Sequence, residues 1–296
     1  MKPMLCKKAD PDRVAAFPSI YVEYKLDGIR VLAHVDLPNK KVSFTSRGGN
    51  EFPSIQHLAE PVMAFAEHLY GSDACLVLDG EVISGSFNDT VSQVRKLRKS
   101  ATDAVYHIFD HLTKAEWDAG RSTDYLDVRR HHLDEAFYRY RKYAREDGVK
   151  YKDSVTVTHC GQNVTQDAID EMYEHSIKVG LEGLIVKNAK SHYICNKRSN
   201  HWLKMKAEDT LDLPIIAVIK GGGKYAHCMG AVVVLHNNVE VNVGTGFDDK
   251  DREAIWNLYE SNPEEIIGRL IEVRYQYETP AGSLRHPSFF RFRDDK

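Results

Sequence analysis

Lys25 lies in the run Glu23-Tyr24-Lys25-Leu26-Asp27-Gly28-Ile29-Arg30, a lysine flanked by carboxylates and followed by an arginine. An ε-amine in such company suits chemistry on a phosphate. It becomes a nucleophile when neighbouring cations or desolvation lower its pKa. Glu23 is two residues before Lys25, so a strand places both on one face. Taken alone, the run also suits a solvated hairpin lysine.

Other reactive types follow in order. Glu81 closes Leu78-Asp79-Gly80-Glu81, and Glu182 opens Glu182-Gly183-Leu184-Ile185-Val186-Lys187. Each adjoins a glycine beside a strand-like run, and their hard oxygens suit magnesium. Lys204 and Lys206 alternate in Trp202-Leu203-Lys204-Met205-Lys206, so a strand points both to one face. Two ammonium groups there can neutralise a phosphate and depress the pKa of Lys25 by like-charge repulsion. Each feature also has an ordinary reading: a surface glutamate, or a polar face on a sheet edge. Asp27 and Asp79 suit turn caps.

The elements that must hold these residues alternate along the first two-thirds of the chain. Ile20-Tyr21-Val22 reads as a buried strand and 30–35 as a second, with Asp27-Gly28 as a tight turn between them. Helical spacing covers 52–70, 90–99, 125–145 and 165–178, with Asn163 to Thr165 offering caps. Strand-like runs cover 74–83, 105–109, 184–186 and 202–206. The pattern changes near 208–214. Short strands at 215–220, 230–236, 239–243 and 270–277 with one helix at 250–259 then suit a small five-stranded oligonucleotide-binding barrel. The expectation is an α+β chain of two domains, 1–209 and 210–296. Gly221-Gly222-Gly223 lacks the Gly-Lys-Ser/Thr ending of a phosphate-binding P-loop.

Composition sets few limits. A chain of 296 residues with net charge −3 has room for a sizeable core. No stretch has the length and apolarity of a transmembrane helix, and the N-terminus lacks a signal-peptide core. Five scattered cysteines without a Cys-x-x-Cys pair argue against a zinc site or a disulfide framework, and fit a reducing cytosol.

Together with Thr45-Ser46-Arg47-Gly48, His107-Ile108-Phe109-Asp110 and the closing Arg285-His286-Pro287-Ser288-Phe289-Phe290-Arg291-Phe292-Arg293-Asp294-Asp295-Lys296, these segments resemble the ATP-dependent DNA ligases of the covalent nucleotidyltransferase superfamily. The resemblance runs from Pro3-Met4-Leu5 to the last residue. The compact layout and Ser283-Leu284-Arg285-His286-Pro287 look most like small bacteriophage ligases.

The resemblance implies an adenylation domain of antiparallel sheets and helices, followed by an OB-fold barrel. It implies a chemistry of three steps. Lys25 attacks the α-phosphate of ATP and pyrophosphate leaves. AMP moves to the 5′-phosphate of a nick in double-stranded DNA. The 3′-hydroxyl then attacks that phosphate and expels AMP. Lys204 and Lys206 would meet the α-phosphate, while Glu81 and Glu182 would hold Mg2+ or the ribose. Arg30 and Arg47 would contact ribose and phosphates. Phe109 would stack on adenine with Ile185 on its other face, and Glu23 would help recognise the base. Arg285, Arg291, Arg293 and Lys296 would orient pyrophosphate for departure. A monomer that clamps nicked DNA with two domains, away from any membrane, is the implied assembly. The short stretch before Lys25 implies that the large N-terminal DNA-binding domain of cellular ligases is missing, and the ending at Lys296 that no further domain follows.

Local basic clusters bear on the DNA. Arg95-Lys96-Leu97-Arg98-Lys99 lies between two candidate site segments and reads as a DNA contact. The stretch 129–145, with Arg129 and Arg130, reads equally as a solvated helix face or a DNA contact. RNA ligases and mRNA-capping guanylyltransferases share the lysine chemistry and stay open by residue type. The Arg-x-Pro-x-Phe-x-Arg-x-Arg-x-Asp-Lys pattern of the ending, with Pro287, Phe289, Arg291 and Arg293 in place, favours DNA ligases. An NAD-dependent ligase is disfavoured by the missing cysteine cluster. A non-catalytic binding module is disfavoured because every reactive position is filled.

Overall fold

The two strands read on either side of Lys25 are present, but they do not pair with each other. In the computed structural model, which describes residues 1–94, 103–146, 153–206, 209–275, 278–279 and 281–293, they belong to different sheets. The basic segment 95–99 and Lys296 lie outside the described residues. The chain divides into two compact units, Met1–Met205 and Lys206–Lys296.

The first unit runs β1 (Leu5–Lys8), α1 (Pro11–Ala15), β2 (Ile20–Tyr24), β3 (Ile29–Asp36), β4 (Lys41–Ser46), a 3-10 turn (Pro53–Leu58), α2 (Ala59–Tyr70), β5 (Cys75–Ile83), α3 (Phe87–Val94), β6 (Val105–Thr113), α4 (Lys114–Ala119), α5 (Leu126–Glu146), β7 (Val155–Val157), β8 (Cys160–Gln162), α6 (Gln166–Lys178), β9 (Gly183–Asn188) and β10 (Arg198–Lys206). One five-stranded sheet has the order β1-β10-β9-β2-β8 and the other β4-β3-β5-β6-β7. The link from Lys25 to Gly28 is therefore a crossover between sheets and not a hairpin turn. Gly28 is needed for close approach: a Cβ there would lie 2.5 Å from the Val82 carbonyl oxygen and 2.9 Å from Glu81 Cγ. The backbone N–H of Lys25 donates to the Gly183 carbonyl (2.8 Å), which carries the β2–β9 pairing one residue beyond β2.

Alternation along β3 turns Val31, Ala33 and Val35 into a core shared with Leu76 and Leu78 of β5. Helices α2 and α5 close it, with Phe65 edge-on to Tyr140 at 5.9 Å. Burying a side chain of this size contributes roughly 1.5–3 kcal/mol. The helix read at 52–70 is broken in two. Pro53 opens the 3-10 turn, Ile55 has non-helical angles (φ −108°, ψ 17°), and α2 starts only at Ala59. Pro61 is tolerated because it falls in the first turn of α2, where its missing N–H has no intrahelical partner to lose. The run read at 90–99 begins earlier, as α3. Thr165 caps α6 by accepting from the Ala168 N–H (3.3 Å).

The second unit contains β11 (Asp209–Lys220), β12 (Met229–His236), β13 (Val239–Val243), α7 (Asp249–Ser261), β14 (Leu270–Tyr275) and β15 (Ser288–Phe292), in the sheet order β13-β12-β11-β14-β15. Within the sequence break read at 208–214, residues 209–214 are the first half of one long strand. Residues 209–214 of β11 pair with β14, and its second half pairs with β12. Pro214 stands where the pairing passes from one partner to the other, so its missing N–H interrupts neither ladder. The five-stranded barrel read from the sequence is partly open: among the described residues its strands form one ladder. Its ends meet through one isolated bridge, Thr245 to Ser288, supported by the Phe289 N–H on the Thr245 carbonyl (2.8 Å). Gly246 permits that approach: its φ is +93°, and a Cβ would lie 2.1 Å from the Phe289 carbonyl oxygen. Ile215, Val232, Val234, Ile271 and Val273 form the core with Ile255 of α7. All five cysteines are free, and no helix among the described residues is long and apolar enough to cross a membrane.

Candidate active site

A cleft of about 280 Å³ in the first unit draws on both sheets. Glu23 comes from β2 and Lys25 from the crossover; β3 gives Arg30, β5 gives Glu81 and β6 gives Phe109. Arg47 follows β4, Ile185 and Lys187 come from β9, and Trp202 and Lys204 from β10.

The Lys25 ammonium is bonded to the Glu182 carboxylate, which is almost fully buried, while Lys25 keeps 22% of its side chain exposed. Glu81 stands nearby and feels both charges. Burial pushes its carboxyl up to about 7, against the pull of Lys25 and Arg30. Arg30 grips Asp79 with two parallel hydrogen bonds, Nε–Oδ1 at 2.8 Å and Nη2–Oδ2 at 2.5 Å. The Tyr193 hydroxyl donates to the same carboxylate at 2.6 Å. Burial disfavours the Arg30 charge, but Asp79 outweighs it and holds the guanidinium protonated. Asp79, read as a turn cap, is thus a buried anchor for Arg30.

Farther along the cleft, Glu23 is 3% exposed. Its Oε2 accepts from Lys187 at 2.7 Å and its Oε1 from Arg130 at 3.4 Å. The Lys187 ammonium, itself 1% exposed, lies 4.3 Å from the Trp202 ring centroid and 5.2 Å from that of Phe109. Phe109 meets Trp202 edge-on at 6.2 Å. The Trp202 Nε1–H is buried with no hydrogen-bond partner among the described residues.

Arg129 and Arg130 correct their reading as exposed basic residues. They are 1% and 4% exposed and point inward from α5. Arg129 holds Asp110, the residue after Phe109, through Nε–Oδ1 at 2.7 Å and Nη2–Oδ2 at 2.8 Å. Burial alone would raise the Asp110 carboxyl; Arg129 overrides it and holds the group below the usual carboxylate range.

The cleft thus gathers Glu23, Lys25, Arg30, Arg47, Glu81, Phe109, Ile185 and Lys204, with Glu182 bonded to Lys25. Lys206 does not line it and is counted with the second unit. Arg293 belongs to that unit too, where its Nη1 donates to both Asp212 oxygens at 2.8 Å. Arg291 donates to Glu272 at 2.7 Å. Lys187, Trp202, Thr158, Cys6 and Arg198, to which the sequence motifs assign no role, also line the cleft. The signal for two of them was available: Lys187 alternates with Ile185 and Trp202 with Lys204, each pair on one strand face. Among the described residues no three His, Cys, Asp or Glu side chains cluster as a metal cage. Mg2+ usually takes one or two carboxylates together with substrate phosphates, and Glu81 and Glu182 beside Lys25 fit that pattern.

Comparison with known proteins agrees with this geometry. Residues 3–206 match the model of the ATP-dependent DNA ligase domain, and 220–293 match the DNA ligase OB-like domain. The DNA ligase of Archaeoglobus fulgidus is 26% identical over 311 residues, covering 93% of this chain and 52% of its own length. DNA ligase 2 of Methanosarcina mazei is 27% identical, covering 99% and 56%. The chain therefore spans about half the length of these curated relatives. The solved structure named Pmar-Lig_Pre is similar with a TM-score of 0.81 at 26% identity, covering 99% of this chain and 67% of that one. The ATP complex of the bacteriophage T7 ligase shares the fold, with a TM-score of 0.59 at 20% identity, covering 99% of this chain and 98% of that one. Since the first match contains every residue that lines the cleft, and the second most of the β11–β15 sheet, the chain belongs to the family of ATP-dependent DNA ligases.

Proposed function

We propose that this protein seals nicks in duplex DNA through a lysyl-AMP and a DNA-adenylate intermediate. The observation that carries the reading is Lys25: a partly exposed amine at a cleft with aromatic and carboxylate groups along one stretch and cations along another. Attack on the α-phosphate needs the neutral amine, and Glu182, already bonded to it, is placed to take the proton. The Lys25 Nζ–phosphorus bond forms as the bond to pyrophosphate breaks. Lys204 and Arg47 offset the charge on the phosphates, with Lys206 on the same strand face as Lys204. Phosphoryl transfer chiefly requires this positioning and charge stabilisation. Arg30, fixed by Asp79, serves the ribose. Phe109 and Ile185 take the two faces of the base, and Glu23 its amine. Mg2+ held by Glu81, and by Glu182 once it has passed the proton to solvent, would supply further charge neutralisation, for which both carboxylates must be ionised. The assignment of nucleotidyl transfer to 1–209, and of pyrophosphate orientation to Arg293 and Lys296 within 210–296, rests on the resemblance of the motifs. So do nicked duplex DNA as the partner and a monomer as the working form.

The test is covalent labelling. Protein incubated with ATP labelled at the α-phosphate should retain label on Lys25, located by peptide mass spectrometry. Nicked duplex DNA should discharge it more readily than nicked RNA. Lys25→Ala should take no label while keeping the wild-type circular dichroism. A labelled Lys25→Ala protein, or discharge by RNA alone, would overturn the reading.

A further inference from the structure

Helix α5 lies outside the segments that carry the family resemblance, yet Arg130 on it reaches the cleft wall from behind. Its Nη1 donates to Glu23 Oε1 at 3.4 Å and to Thr158 Oγ1 at 3.3 Å, and its Nη2 donates to the Thr158 carbonyl at 2.6 Å. Nε and Nη2 also donate to Asp134 Oδ1, one helical turn on, at 2.9 and 2.7 Å. Asp134 in turn accepts from Gln162 at 3.1 Å. Glu23 and Thr158 both line the cleft.

One guanidinium thus fixes a carboxylate, a hydroxyl and a carbonyl relative to one another, as its planar five-donor fork allows. Lys187 holds the other oxygen of Glu23 at 2.7 Å. A carboxylate offers about four lone-pair sites, so two cations leave acceptor capacity for a ligand. With Lys187 alone, Glu23 keeps a single hydrogen-bonding cation among the described residues and is freer to rotate away from the cleft.

We propose that Arg130 is a positioning residue for nucleobase selection, holding Glu23 so that its carboxylate presents a fixed acceptor to the exocyclic amine of adenine. This rests on the placement of the base beside Glu23 under the proposed function. A site built to pair with such an amine rejects a purine that lacks it, because the acceptor is left unmatched. If Arg130 only pinned α5 to the sheet, its loss would lower stability and leave base preference intact.

The experiment measures lysyl-nucleotide formation with ATP and with purine riboside triphosphate, which lacks the amine. Four full-length proteins are compared: wild type, Arg130→Met, Glu23→Gln and the double variant. Arg130→Met should shrink the ATP preference by about tenfold, mainly through a weaker reaction with ATP, and Glu23→Gln should shrink it by a similar factor. The double variant should lose no more than the larger single loss, because one group acts through the other. A wild-type ratio in Arg130→Met with a lowered melting temperature, or independent losses that multiply, would overturn the proposal. If Arg130→Met does not fold, Arg130→Lys decides: its point charge cannot bridge Glu23 and Thr158 together, so the ratio should still shrink, and an unchanged ratio overturns the proposal. Wild-type protein that takes no label from any triphosphate would overturn nucleotidyl transfer itself. Label from ATP with selectivity indifferent to Arg130 overturns only this inference.

Discussion

The two ends of the cleft handle charge in different ways. Around Glu23 the ions are buried and matched: Lys187 and Arg130 on Glu23, and Arg129 on Asp110 just behind Phe109. Around Lys25 the cations face water, although the Glu182 carboxylate that pairs with Lys25 is buried. Lys25 and Lys204 are half-buried, and Arg47 is exposed. A buried matched ion is costly to move, because its partner is left unpaired in a poor solvent. An exposed cation is screened by salt and can follow a phosphate that changes position. The first arrangement suits a pocket that must keep one shape to read a base. The second suits phosphates that must enter, react and leave.

The contrast breaks if the buried end tolerates loss of a charge. Arg129→Met removes the only arginine on Asp110 among the described residues and should cost about 3–5 kcal/mol of folding stability. Urea unfolding measures it as a lower midpoint at unchanged slope. Lys204→Met at the open end should stay within about 0.5 kcal/mol of wild type. Adding Asp110→Asn to Arg129→Met should recover part of the loss, since the unpaired carboxylate is then gone. Equal stabilities for Arg129→Met and Lys204→Met would end the distinction.

The open end should fail in rate before it fails in stability. Glu182→Gln keeps the shape of the Lys25 partner but removes its charge. Label formation from ATP should slow by roughly 10²–10³-fold, the scale found for a single electrostatic contact in other active sites. Its melting temperature should move far less than that of Arg129→Met. A Glu182→Gln protein that labels at the wild-type rate would show that this ion pair only closes the resting cleft.

Much of this contrast is visible in the sequence, though unevenly. The open end was legible because its groups stand in short runs whose order carries the family resemblance, and that resemblance named Lys25, Glu81, Glu182 and Lys204 where strand alternation alone left ordinary readings open. The buried end was legible only in part: the resemblance named Glu23, Phe109 and Ile185, but not the cations Arg129, Arg130 and Lys187 around them. Arg129 and Arg130 look like any basic pair on a helix, and only tertiary packing turns them inward. Asp79 passes for a turn residue beside Gly80 until Arg30, 49 positions away, is found on it. Local rules failed at two further points. Asp27-Gly28 carries a turn signal, yet Gly28 serves a close approach to β5. Pro214 reads as a break, yet it marks a strand changing partners. In both cases the residue answers to a distant neighbour and not to its own segment.

Glu81 belongs to neither end, and its titration tests where the boundary lies. Its carboxyl is raised from an ordinary 4.5 to about 7, chiefly by burial. Between those values the folded chain keeps a proton that the unfolded chain releases, so stability falls as pH rises. The contribution is therefore complete below about 4.5 and lost as pH passes about 7. The shift would correspond to about 3 kcal/mol; with the side chain half-buried against the cleft's water, about 1–3 kcal/mol is the expected range. Glu81→Gln lacks this proton. Stability measured from pH 4.5 to 8 should therefore fall more steeply in wild type than in Glu81→Gln, leaving the variant the more stable at pH 8. Activity should move the other way. If ionised Glu81 holds magnesium, the magnesium concentration for half-maximal labelling should drop in wild type between pH 6 and 8, and less so in Glu81→Gln. Parallel stability curves for the two proteins would place Glu81 with the solvated groups beside Lys25. A steep stability difference without any magnesium effect would place it with the buried frame that holds Glu23.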